Sequence, residues 1–203
     1  MSQYLERTRE WFEWHDKKMR NAEDPRHRAI LRNHQTHAAL EMLGRAAEIF
    51  APDLTVAEPE YHICGLGYDT LTTFAGEDAV KGFYGGLTEA HDVITVVYPY
   101  GPLDASVEVT PWGFIAFVTV GTIIDGYQLA DVADADPAGV DPAARYIMER
   151  PIAIRWWYTD GPDPLLIGED LYQITETTYT KLAAGEDVAR DDLDDLLRSF
   201  LPA

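Results

Sequence analysis

A single cysteine, Cys64, stands among the 203 residues, so no internal disulfide can form and a reducing compartment is expected. Basic residues are also scarce: 16 Lys and Arg face 35 Asp and Glu, a formal net charge of −19. A surface of that sign repels phosphate backbones and anionic lipid, which argues against nucleic acid or a membrane as partner. No apolar run approaches the ~18 residues of a membrane-spanning helix. Residues 1–10 are charged and carry no apolar signal region. The expectation is a cytoplasmic protein. Gly65-Leu66-Gly67 and Gly85-Gly86 lack the strand–loop–helix setting of a phosphate loop, so nucleotide binding is not expected.

What is present suits one substantial core. The chain is 46% hydrophobic and 11% aromatic, and 203 residues are short for two full domains. A single domain is expected, with an N-terminal helical extension over 1–25, a core over 26–175 and a tail with a helix over 176–203. Tyr4, Leu5, Trp11, Phe12, His15 and Met19 recur at helical spacing and predict a helix over 2–20. Pro25 suits the first turn of a second helix that runs to about Phe50, bent at most near Gly44.

From Leu54 the period becomes two. Leu54, Val56, Glu58, Glu60 and His62 fall on one face, and Thr55, Ala57, Pro59, Tyr61 and Ile63 on the other. A loop or short hairpin over 65–75 and a helix over 77–90 follow. Strands are expected at Val93–Tyr100, Val107–Thr110, Gly113–Ile124, Tyr146–Thr159 and Leu165–Thr175, then a helix at Arg190–Leu201. The acidic stretch 130–142 reads as a tether or a lid. Helices first, then one helix among about six strands, indicate an α+β fold: helices over one face of a curved antiparallel sheet that encloses a cone-shaped cavity.

Four stretches in this order resemble the SnoaL-like and ketosteroid-isomerase-like group of the nuclear transport factor 2-like superfamily. They are Ile49 to Pro59, Gly76 to Tyr84, Phe114 to Val120, and Pro151-Ile152 onward. The resemblance implies the cone fold, a small apolar ligand, no cofactor or metal, and a homodimer formed through the open sheet face. It puts Glu58 where the isomerases carry a proton-shuttling aspartate, His34 where they carry a donor tyrosine, and Ala153 where they carry a protonated acid. Steroid isomerisation with that oxyanion hole is therefore not implied. Nor is the Arg-x-Asp strand of limonene-epoxide-hydrolase relatives present. Dehydratase relatives use a His–Asp pair, for which His34 or His62 with Glu58 would serve; SnoaL-type cyclases use an acid, for which Glu58 or Glu149 would serve. The implied activity is acid/base isomerase, dehydratase or cyclase chemistry on a cyclic, polyketide- or steroid-like substrate. A non-catalytic ligand-binding or assembly module is the alternative, because one fold carries many functions.

Glu58, His62 and His34 are thus the candidate catalytic residues. Glu58 on a cavity-facing strand would lose solvent and become a usable base near neutral pH. His34, His37 and Glu41, at i, i+3 and i+7, share one helical face; this resembles metal-ligand spacing, yet one helix seldom completes a coordination sphere. On an unbroken helix that face lies opposite the apolar stripe of Leu40, Leu43, Ala47 and Phe50. Glu149 shares parity with Pro151 and Ala153 and is a candidate replacement acid. Asp125, before Gly126, reads as a turn residue, and of Glu169 and Asp170 at most one can face a cavity. Phe83, Tyr84, Phe117, Trp156 and Trp157 are the expected aromatic wall, with Phe83, Tyr84, Phe117, Glu149, Ala153 and Trp156 contacting substrate.

Overall fold

Two capped helices open the chain. The computed structural model describes residues 2–88, 93–129 and 139–202. In α1 (Gln3–Asn21) the Ser2 side chain caps the Tyr4 amide, and in α2 (Pro25–Met42) Asp24 caps Arg26 with Pro25 in the first turn. The sequence pattern extends α2 to about Phe50, but it stops eight residues earlier. Gly44, at φ 72°, turns left-handed; its N–H reaches Glu41 O and that of Arg45 reaches Leu40 O, a Schellman closure that leaves the carbonyls satisfied. A short 3-10 turn, Ala46–Phe50, follows.

The sheet has eight strands: β1 (Thr55–Gly65), β2 (Tyr68–Ala75), β3 (Ile94–Pro99), β4 (Val107–Thr110), β5 (Gly113–Asp125), β6 (Arg145–Tyr158), β7 (Leu166–Gln173) and β8 (Thr178–Lys181). Its order is β2-β1-β7-β6-β5-β3, with β4 added to β5 and β8 added to β6. The fold is α+β, and the sheet is mixed rather than antiparallel: β1 and β7 run parallel while every other pairing is antiparallel. At that junction a Cβ on Gly168 would lie 1.8 Å from the Glu60 carbonyl oxygen, so only glycine allows the two strands this close. The uncertain 65–75 stretch resolves as the β1–β2 hairpin. Three further α-helices lie among the described residues: α3 (Glu77–Thr88), α4 (Gly126–Leu129) and α5 (Arg190–Arg198). Of the acidic stretch expected as a tether or lid, 130–138 lies outside the described residues.

α2 is buried nearly all round, including Ile30, Leu31, His34, His37, Ala39, Leu40 and Met42. It touches α1, α5, the 3-10 turn and strands β3, β4 and β5, and beyond its first turn only Arg32 is exposed. Of its buried polar groups, Asn33 donates to Leu54 O at 2.8 Å and Gln35 to Phe12 O at 3.1 Å, whereas the buried Nδ1 of His37 has no hydrogen-bond partner among the described residues. At the β3 end the sheet is buried on both faces. Val96 and Ile147, 0% exposed, lie on the side away from the inner face, where a Cβ on Gly121 would sit 2.9 Å from each. There the Tyr4 ring meets Tyr98 at 6.3 Å, and Ser2 Oγ donates to Glu186 O at 2.5 Å. Towards β1 and β2 the same face is open, with Phe117 and Tyr172 exposed.

Candidate active site: a cavity with two carboxylates

Between the helices and the inner sheet face lies a cavity of about 390 Å³, within the range of small-molecule sites. Its middle is apolar, made by Val97, Val118, Val120, Ile152, Ile154 and Leu171. Polar residues gather against α2: His34, His37 and Glu41 from the helix and Glu169 from β7. Arg150, Thr122 and Gln128 also line it.

Each polar group is tuned by its surroundings. Burial raises Glu169 well above the usual carboxylate range, and the charge of Glu41 raises it further. Trp156 pulls the other way, although its indole nitrogen makes no hydrogen bond of normal length. Burial pushes Glu41 up to about 7. Glu41 lines the cavity, and about a third of its side chain (36%) remains accessible. Once ionised, Glu41 places a negative charge that favours the protonated form of Glu169. His37 is buried and lowered to about 4; its Nε2 lies 2.8 Å from the Tyr84 hydroxyl and 3.9 Å from Glu41 Oε2. Tyr84 in turn donates to the Tyr61 hydroxyl at 3.3 Å. His34 is lowered by burial, then by neighbouring His15 and His37, and its Nδ1 sits 2.9 Å from His15 Nε2.

Of the residues expected at the site, His34, Phe83 and Trp156 line the cavity, and Tyr84 stands behind its wall as partner of His37. Glu58 does not: it is exposed, and its carboxylate lies beside Gly76 at the start of α3. The alternation read for β1 is right, but the buried face is that of Tyr61 and Ile63, both 0% exposed, so Glu58, Glu60 and His62 point away from the cavity. His62 bonds Asp170 at 2.7 Å and Glu60 at 3.1 Å on the outer face. The same parity error recurs in β6. Met148, Arg150, Ile152, Ile154 and Trp156 face inward, while Glu149 faces outward and accepts from Tyr98 at 2.5 Å. Ala153 shares that outer parity, paired with Phe117, which is 42% exposed. Trp157 donates to Asp170 on the outer face, and Asp125 lies near Arg145 at 3.4 Å.

His15 and Tyr61 escaped the sequence reading as site residues, because in sequence both look like core members of an apolar stripe. Glu41 showed only as part of a metal-like spacing. Among the described residues no group of three or more His, Cys, Asp or Glu is arranged to hold a metal, and none of the described helices is long and apolar enough to cross a membrane. No family model, curated protein or solved structure matches the chain.

Chemically, the cavity offers a neutral acid that can donate (Glu169), a carboxylate that exchanges its proton near neutral pH (Glu41), and unprotonated imidazoles. Two titratable groups pushed to different protonation states side by side make an acid/base pair.

Proposed function

We propose that the cavity is the active site of a SnoaL-like small-molecule enzyme that performs cofactor-independent acid/base chemistry, of isomerase, dehydratase or cyclase type, on an apolar cyclic, polyketide- or steroid-like substrate. The observation that carries the reading is the pair of carboxylates raised by desolvation, Glu41 and Glu169, gathered with His34 and His37 in a cavity whose sheet wall is largely apolar. In the proposed reaction Glu41, ionised, takes a proton from carbon or water, and protonated Glu169 donates to the oxygen on which charge develops. The base role moves from Glu58 to Glu41, so the family resemblance enters as a proposal of cone fold and cavity rather than of a conserved base position. The test is turnover of a panel of cyclic ketones and hydroxyketones by wild type, Glu41→Gln and Glu169→Gln. Loss of about a hundredfold or more in both variants is expected for a general acid and base; full activity in either removes that residue from the mechanism.

A second reading, a binding or assembly module of the same fold, draws on the outer sheet face. Phe117 (42%), Tyr172 (44%) and Ile174 (40%) are exposed there, and burying them against a second copy would give the homodimer that the resemblance implies. Sedimentation of wild type and Phe117→Lys distinguishes the states: a dimer that the substitution splits supports the interface, and a monomeric wild type removes it.

A further inference from the structure

Two buried histidines stand in line, His34 in the cavity wall and His15 behind it. His15 is 1% exposed and His34 2% exposed, and their rings lie edge to edge, centroids 4.9 Å apart and planes 10° from parallel. His15 Nδ1 lies 2.9 Å from the carbonyl oxygen of Trp11, one turn earlier in α1. His15 Nε2 lies 2.9 Å from His34 Nδ1. A carbonyl oxygen only accepts, so the proton of His15 is on Nδ1 and its Nε2 carries a lone pair. That lone pair must accept, so the hydrogen between the rings belongs to His34 Nδ1. The reverse arrangement would set the His15 Nδ1 lone pair against the carbonyl lone pairs.

Neither ring has a reason to take a second proton. Both are held neutral by burial, His15 down to about 4, and the one opposing charge named for His15 is Asp16. A neutral His34 with hydrogen on Nδ1 has a bare Nε2. The His34 ring is clamped by Phe114 at 4.2 Å and Trp156 at 4.3 Å, so it cannot turn to hide that edge. His34 lines the cavity, and its Nε2 makes no hydrogen bond among the described residues.

We infer that His15 is a positioning residue that fixes His34 in the Nδ1–H tautomer, so that the cavity presents a lone pair and recognises a ligand carrying a hydroxyl donor at that end. The inference rests on the reading of the cavity as a small-molecule site. It reverses the part expected for His34 from the family resemblance, because a bare Nε2 accepts and cannot donate to an oxyanion. The ligand then meets two opposite demands: a donor for His34 and an acceptor for protonated Glu169. A hydroxylated carbonyl compound satisfies both.

The test is nitrogen NMR of the full chain with labelled histidine at neutral pH, His34 being assigned by its loss in His34→Gln. A pyridine-like Nε2 and a protonated Nδ1 are expected in the wild type; a protonated Nε2 overturns the inference without any variant. His15→Gln, whose side-chain oxygen reaches the place of Nε2, keeps the tautomer, whereas His15→Leu releases it. With 2-naphthol as probe, affinity falls about tenfold in His15→Leu, the worth of one hydrogen bond, and stays within about twofold in His15→Gln. Naphthalene affinity is unchanged in both. Equal losses for naphthol and naphthalene overturn the hydroxyl requirement. If neither compound binds wild type, the small-molecule reading and the hydroxyl requirement fail together, while the tautomer is still judged from the ligand-free spectrum.

Discussion

Glu169 and Asp170 are consecutive residues of β7, and the sheet separates them into opposite surroundings. Glu169 points to the cavity, where burial and the Glu41 charge keep its proton on. Asp170 points outward. Burial alone would raise it too, but Trp157 donates to it at 2.8 Å, Arg155 at 2.5 Å and His62 at 2.7 Å, and together they hold it below the usual carboxylate range. The same kind of group is a stored proton on one face and a satisfied anion on the other. Hydrogen-bond donors make the difference, since both residues are nearly covered, at 4% and 6% exposed. A carboxylate buried with partners stabilises the fold; one buried without them waits for a ligand.

The comparison can be broken first at its structural end. Asp170→Ala removes the acceptor of an indole, a guanidinium and an imidazole at once, and about 2–3 kcal/mol of stability is expected to go with it. Denaturant unfolding at neutral pH measures this, and a loss under about 0.5 kcal/mol would show that the outer network holds nothing.

An effect of similar size is expected in pH dependence, where two kinds of buried group pull in opposite directions. Glu41 and Glu169 are raised in the folded state, so the native protein binds more protons than the unfolded chain above the ordinary value of 4.5, and stability falls as pH rises towards 7 and beyond. His15 and His37 are lowered to about 4, so the unfolded chain binds more protons below 6.5, and stability falls as pH drops from 6.5 towards 4. For fully buried His15 the loss across that window is about 3 kcal/mol. Glu41→Gln should flatten the alkaline limb and leave the acid limb; thermal midpoints across the pH range decide. An unchanged alkaline limb would place the raised carboxylate elsewhere.

The smallest expected effect sharpens the contrast on β1. Glu58→Gln should change stability by less than about 0.5 kcal/mol and leave cavity binding alone, because the residue is exposed and faces away. A large loss of binding would return Glu58 to the site.

Alternation along β7 is enough to tell Glu169 from Asp170, and the helix–strand order is enough for the α+β class. Which face of each strand is inner is another matter. β6 is apolar on both faces because Ile147 is covered on the side away from the cavity while Ile152 and Ile154 line it, so counting from Pro151 chose the wrong parity for Glu149 and Ala153. In α2 burial nearly all round erases the stripe that should point to the core, and His34 and Glu41 then look solvated. The carboxylate pair joins residues 41 and 169, which no local spacing connects. The parallel meeting of β1 and β7 is likewise a long-range fact, visible in sequence only as the small residue Gly168.

The most direct measurement is a carbon NMR titration of the glutamate carboxyls, with Glu41 and Glu169 assigned by Glu41→Gln and Glu169→Gln. Glu169 is expected to be still protonated at neutral pH, Glu41 to titrate at about 7, and Glu41→Gln to lower the midpoint of Glu169. Two carboxyls that both titrate near the ordinary 4.5, each indifferent to the other, would contradict this.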